Sequence, residues 1–266
     1  MITTTIPLRE DNPAVRLEAY VLKNSLEFQT GSKRPAVVIC PGGAYMGTSD
    51  REAEPVALRF LARGYHAFVL RYSVQTRFPQ PMLDLATAIL TVRQHADEWF
   101  VDADQIALCG FSAGGHLAAS LGVHWDKPFL SEPLGVSAEQ IKPNALILGY
   151  PVIDLELVDN PPIMVEGQAE PVGLNEHVLA TVMGEFPPPR ALVEQYRADR
   201  HVSSATPPTF IWHTADDALV FAGNALRFAG ALDDHHVPYE LHIFESGVHG
   251  LSLGGRPAHD PVYDGL

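Results

Sequence analysis

Cysteine is nearly absent from this chain. Cys40 and Cys109 are the only two in 266 residues, and both lie in apolar runs that read as buried strands. Two such residues give no disulfide framework, and a reducing compartment is expected. Basic residues are also few, 18 Lys and Arg against 32 Asp and Glu, for a formal net charge of -14. A surface of that sign repels nucleic acid and anionic membranes, so neither is an expected partner. No apolar run approaches the roughly 20 residues a membrane helix requires. The opening residues Met1-Ile2-Thr3-Thr4-Thr5 lack a basic stretch followed by an apolar core. A soluble, cytoplasmic protein is therefore expected. No histidine pair has the His-Glu-x-x-His spacing of a metal site, and no metal or organic cofactor is implied. Internal repeats and low-complexity tracts are missing as well. What remains, 46% hydrophobic and 19% charged, is the composition of a globular domain large enough to bury its own core.

Along the chain, apolar runs of strand length alternate with amphipathic segments of helix length. The strands are read at Ala36 to Cys40, Tyr65 to Arg71, Ile106 to Cys109, Ala145 to Leu148, Thr209 to Trp212 and Tyr239 to Phe244. The helices are read at Glu52 to Ala62, Pro81 to Ala96, Ala113 to Val123 and Gly223 to Leu232. Continuous apolar strands alternating with helices predict a mostly parallel sheet covered on both faces, in one domain over residues 1–266. Leu155 to Pro208 breaks this rhythm. It holds Pro161-Pro162 and Pro187-Pro188-Pro189, with short helical pieces at His177 to Met183 and Ala191 to Tyr196. A connection of that length inside a compact domain is usually functional, so a small cap or insertion is expected over the carboxyl edge of the sheet.

Gly110-Phe111-Ser112-Ala113-Gly114 follows one predicted strand directly and opens the next helix. A bare Gly-x-Ser-x-Gly match arises by chance in on the order of one chain in ten of this length. The strand-to-helix context is what gives it weight. A nucleophile on a tight turn needs small neighbours, and the turn aims the helix N-terminus and the Ala113 amide at a developing oxyanion. Serine needs an adjacent base to become nucleophilic. Of the late histidines, His242 is inside a strand pattern, His235 and His236 end a helix beside Asp233 and Asp234, and His259 stands near the terminus. His249 lies in the turn Gly247-Val248-His249-Gly250, past the strand ending at Phe244, which places it at the carboxyl edge level with Ser112. The orienting acid should end an earlier strand, where Asp216 and Asp217 stand side by side. Only one can hold the imidazole; the other could cap the following helix. The turn Pro41-Gly42-Gly43-Ala44-Tyr45 is the natural second source of oxyanion amides.

These motifs in this order resemble the α/β-hydrolase superfamily, and more narrowly its bacterial acetyl-esterase and feruloyl-esterase-like branch, related to acetyl xylan esterases and dienelactone hydrolases. The markers are Cys40 to Tyr45, Leu70-Arg71-Tyr72-Ser73, Cys109 to Ala118, Trp212 to Asp217 and Phe244 to Gly250. The resemblance implies an α/β-hydrolase fold and a catalytic triad of Ser112, Asp217 and His249. Asp217 is chosen because it starts the family's Asp-x-x-Val run, with Val220 and His213 in register. The resemblance also implies an oxyanion hole from Ala113 with Gly43 or Ala44. Pro41 and Ala44 replace members of the related His-Gly-Gly-Gly motif, and Phe221 with Gly223-Asn224 replaces the usual Pro and Glu-Asn. The expected activity is hydrolysis of short, acetyl-like carboxylic esters, including those of small carbohydrates. The candidate cap carries Glu156, Asp159, Glu166, Glu170 and Glu176, too acidic for a lipid surface. Two other readings stay open, a serine peptidase or amidase of the same fold and a non-catalytic ligand-binding relative. The expected partner is a small-molecule ester, and the sequence leaves a homo-oligomer open.

Overall fold

The strands expected from continuous apolar runs form six adjacent strands of an eight-stranded sheet, out to one edge, in the computed structural model, which describes residues 1–25, 27 and 32–254. In chain order the strands are β1 (Ile2–Pro7), β2 (Arg16–Val21), β3 (Arg34–Cys40), β4 (His66–Arg71), β5 (Val101–Phe111), β6 (Ala145–Gly149), β7 (Pro162–Ile163), β8 (Val172–Gly173), β9 (Thr209–Thr214) and β10 (Tyr239–Phe244). The α-helices are α1 (Glu54–Leu61), α2 (Gln80–Gln94), α3 (Ala96–Trp99), α4 (Ser112–His124), α5 (Pro128–Ser131), α6 (Leu174–Met183), α7 (Arg190–Gln195) and α8 (Gly223–Asp234). The sheet runs β1-β2-β4-β3-β5-β6-β9-β10, with β7 and β8 as a separate hairpin. From β4 to β10 neighbouring strands are parallel; β1 and β2 extend the edge antiparallel.

Burial follows the pleat. Val38 and Cys40 of β3 point to one face, where α2, α4 and α8 bury Leu85, Ile89, Leu117 and Phe228. Val37 and Ile39 point to the other, against Val56, Ala57 and Leu61 of α1. Cys40 and Cys109 fall on opposite faces and are free thiols. Burial pushes both thiols up in pKa, which makes them poor nucleophiles.

The structure differs from the sequence reading in three places. The N-terminal pair β1 and β2 was not expected. Leu17, Ala19 and Val21 of β2 are buried alternately, but every residue of β1 is exposed or half-buried, so it carries no apolar signal. The helix expected over Pro81 to Ala96 divides at His95, whose Nδ1 bonds to the Thr91 carbonyl at 2.9 Å and whose ring stacks on Trp99. The stretch from Leu155 to Pro208 contains the β7–β8 hairpin as well as α6 and α7. It is tied to the body by Val178, Leu179 and Val182, buried in the main core, where each apolar side chain stabilises by about 1.5–3 kcal/mol. Among the described residues no helix is long and apolar enough to cross a membrane.

Candidate active site

Ser112 opens α4 directly after β5, with φ of 52° while Phe111 before it is still extended. A left-handed residue without glycine's freedom is strained by about 1–3 kcal/mol, and here the surroundings leave no alternative. A Cβ on Gly114 would stand 2.0 Å from the Cys40 carbonyl oxygen, and one on Gly110 would stand 2.3 Å from that of Gly114. Backbone packs on backbone at this turn, so β3, β5 and α4 meet with no room for a side chain. The hydroxyl is thereby held above the carboxyl edge of the sheet.

The loop after β10 brings His249 to it. His249 Nε2 lies 2.8 Å from Ser112 Oγ, and Nδ1 lies 2.7 Å from Asp217 Oδ2. Asp217, at the end of β9, is 3% exposed. Its Oδ1 accepts the amides of Leu219 and Val220 at 3.0 and 2.9 Å. The His213 ring shares its Nε2–H between the Val220 carbonyl at 2.7 Å and Asp217 Oδ2 at 3.4 Å. Burial opposes ionisation of Asp217. The hydrogen bonds from His213 and His249, the His249 charge and the Val220 amide outweigh it and hold the carboxyl well below the usual carboxylate range. An ionised Asp217 takes the Nδ1–H of His249, which leaves Nε2 as the acceptor facing the serine hydroxyl.

Asp216 does not cap the helix that follows. Its Oδ1 accepts the Gly247 amide at 2.7 Å, so it clasps the histidine loop from outside while Asp217 holds the ring from within. Six residues separate Asp216 from the start of α8, too far for a capping contact. Of the other late histidines, His235 and His236 follow α8, and His242 bonds to Glu240 at 2.6 Å on an exposed strand. His259 lies outside the described residues.

Gly43, Ala44 and Ala113 all border the space around Ser112. Gly42 does not compete as an oxyanion donor, because its amide is given to Glu52 Oε2 at 2.6 Å. The loop is fixed on its other side by Tyr72, whose hydroxyl donates to the Pro41 carbonyl at 2.8 Å, and by Tyr45, whose hydroxyl meets His116 Nδ1 at 2.7 Å. Both tyrosines lie in stretches that carry the resemblance, but nothing in the sequence pointed to these two hydrogen bonds.

Two lobes of the cleft meet at Ser112. One is walled by apolar side chains including Val152, Leu155, Val158, Leu174, Val178 and Leu219. Asp159 and Asn175 also line this lobe. The other is lined by Gly43, Ser49, Arg51, Glu52, His249 and Gly250. Among the described residues no group of three or more His, Cys, Asp or Glu could hold a metal ion.

Comparison with known proteins places these features in context. A sequence profile of the BD-FAE family matches residues 25–232. Endo-1,4-beta-xylanase B of Butyrivibrio fibrisolvens is 30% identical over 240 residues, 88% of this chain and 34% of that protein. The acetylxylan esterase of Xylanibacter ruminicola is 28% identical over 82% of this chain and 41% of its own length. The chain thus spans between a third and a half of these curated relatives. Among solved structures, an acetyl ester-xyloside bifunctional hydrolase from Caldicellulosiruptor lactoaceticus is 36% identical, with a TM-score of 0.78 over 96% of this chain and 90% of that one. The carboxylesterase Cest-2923 of Lactobacillus plantarum is 30% identical, with a TM-score of 0.81 over 99% of this chain and 90% of that one.

Proposed function

The chain belongs to the BD-FAE family of α/β-hydrolases, and on that ground we propose that it is a serine carboxylesterase acting on short, acetyl-like esters. The observation that carries the reading is the unbroken chain of hydrogen bonds from Ser112 through His249 to buried Asp217 at the junction of the two lobes. His249 takes the Ser112 proton as Oγ attacks the ester carbonyl. The oxyanion is held by the amides of Ala113 and of Gly43 or Ala44, helped by the positive end of α4. His249 then gives its proton to the departing alcohol. Water, deprotonated by the same nitrogen, releases the acyl group from Ser112.

The apolar lobe suits the acyl group and the more polar lobe the alcohol. Acylated small carbohydrates are the proposed natural class, supported by the names of the relatives and by Ser49 and Arg51 on the lobe assigned to the alcohol. Residues 155–208 act as a cap on a single α/β-hydrolase domain, since Leu155, Val158, Leu174 and Val178 all come from that stretch. The free buried thiols are compatible with a reducing, cytoplasmic setting.

The test is hydrolysis of nitrophenyl acetate, butyrate and octanoate by the wild type and by Ser112→Ala. Activity on the short esters should be lost by several orders of magnitude in the variant. No turnover above the variant on any ester would sink the reading and turn attention to amide substrates and then to ligand binding.

A further inference from the structure

Glu52 is a buried carboxylate beside the active site with no part in the proton transfers above. It ends a single 3-10 turn (Asp50–Glu52) shortly after the oxyanion loop and is 2% exposed. Both oxygens are used. Oε2 accepts the Gly42 amide at 2.6 Å, and Oε1 accepts the Tyr150 hydroxyl at 2.6 Å. That hydroxyl in turn accepts the amide of Ser252 at 2.7 Å, three residues past His249, and Ser252 Oγ donates to the Arg51 carbonyl at 2.9 Å. One side chain thus joins the loop after β3, the residue that follows β6 and the loop that carries the histidine.

The surroundings show why the join bears on the chemistry. Gly42 is wedged between Glu52 and the nucleophile, for a Cβ placed there would be 2.8 Å from both Glu52 Oε2 and Ser112 Cβ. The short bond from the Gly42 amide to a carboxylate is strongly directional. It takes up that N–H and fixes the peptide that leads into Gly43 and Ala44, which follow with φ of 133° and 54°. Tyr150 stands edge-on to the His249 ring, with centroids 5.0 Å apart and planes at 70°. It also has a strained φ of 35°, held by the hydrogen bond its backbone N–H donates to the Trp212 carbonyl at 2.7 Å. Burial, then the Glu52 charge and hydrogen bond, push the Tyr150 hydroxyl well up in pKa, so it remains a donor to Glu52. A carboxylate is a costly way to fill a core position unless its directional bonds are needed.

We propose that Glu52 is a positioning residue which, through Gly42 and Tyr150, sets the spacing between the oxyanion amides and the His249 loop. The inference rests on the esterase reading. Amides and imidazole misplaced by a fraction of an ångström lose contacts made mainly in the transition state, so kcat is the parameter that suffers.

The experiment compares Tyr150→Phe, Glu52→Gln and their double variant on nitrophenyl acetate, with thermal melting of each. Each single change should lower kcat by about tenfold or more with KM within about twofold of wild type. The double variant should be within about twofold of the weaker single one, because both cut the same tie. Tyr150→Phe keeps the ring and its packing, so it decides the matter even if Glu52→Gln does not fold. An unchanged kcat in Tyr150→Phe, a raised KM with kcat intact, or losses that multiply in the double variant would overturn the proposal. A lowered melting temperature with kcat intact would reduce Glu52 to a packing role and overturn it too. A wild type inactive on every ester overturns the esterase reading and this inference with it, whereas an active wild type with unaffected variants overturns the inference alone.

Discussion

Asp216 and Asp217 are neighbours in sequence and leave the chain in different directions, so one carboxylate meets the imidazole and the other the backbone of its loop. Asp217→Asn puts an amide where an ionised acceptor fixes the His249 tautomer. In the well-studied serine-protease triad the equivalent change costs about 10⁴ in kcat, and a loss of similar order is expected here. Asp216→Asn keeps an oxygen for the Gly247 amide, so kcat should stay within about threefold of wild type. Steady-state kinetics of both variants on nitrophenyl acetate decide the assignment. If the losses fall the other way round, Asp216 is the orienting acid.

At the scale of the element, the turn between β5 and α4 is set by contacts closer than side chains allow. Gly114→Ala would drive a methyl group onto the Cys40 carbonyl oxygen, 2.0 Å away, and onto that of Pro41, 2.5 Å away. Both are backbone atoms at the end of β3, so the strand must move. The variant should melt at a markedly lower temperature and lose esterase activity. Gly230 is the contrasting case, inside α8 with nothing within 4 Å of an added Cβ. Gly230→Ala should raise stability by about 0.5–1 kcal/mol, a shift of roughly 1–4 °C in melting temperature, with kinetics unchanged. A Gly114→Ala protein that melts like wild type would show that the turn is looser than the contacts indicate. Asn224, at the start of α8, binds the amides of Ile153 and Asp154 with one oxygen, each at 2.9 Å. Its nitrogen reaches the Leu157 carbonyl at 2.7 Å, so the stretch leading from β6 into the apolar lobe is anchored by the first turn of α8.

At the scale of the whole molecule, pH acts through histidines folded in their neutral form. Burial pushes His66, His116 and His124 each down to about 4, with the His201 charge adding to the effect at His124. The unfolded chain takes up these protons near pH 6.5, so it binds more of them than the native state between about 6.5 and 4. Stability is therefore complete above that window and falls as pH drops through it. His116, fully enclosed between Tyr45 and the Tyr196 carbonyl, contributes about 3 kcal/mol of the loss. Melting temperature should decline steadily from pH 7 to pH 4.5. A flat profile would mean that these rings gain protons in the native state without cost.

The chain's chemistry was legible wherever a requirement is local. Gly110 and Gly114 around Ser112 follow from a turn that excludes side chains, and the parallel sheet follows from strands apolar on both faces. The order Ser112, Asp217, His249 follows from the resemblance those motifs carry. The ends of β3, β6 and β9 could be read to within a residue or two for the same reason, since a largely buried strand leaves no place for a polar interruption, and β10 was read at its observed bounds although it is an exposed edge strand. β1 was not legible, because an edge strand of threonines buries almost nothing, and neither was the β7–β8 hairpin, two residues a side. Long-range pairings also lay beyond the sequence. Glu52 with Gly42 and Tyr150, Asp216 with Gly247, and Tyr45 with His116 join residues 10 to 98 positions apart. No period or spacing encodes such contacts. The sequence alone determined which side chains could carry the chemistry and which strand ends they occupy. Only the tertiary structure decided which oxygens face which amides, because that depends on how separate loops close over one edge of the sheet.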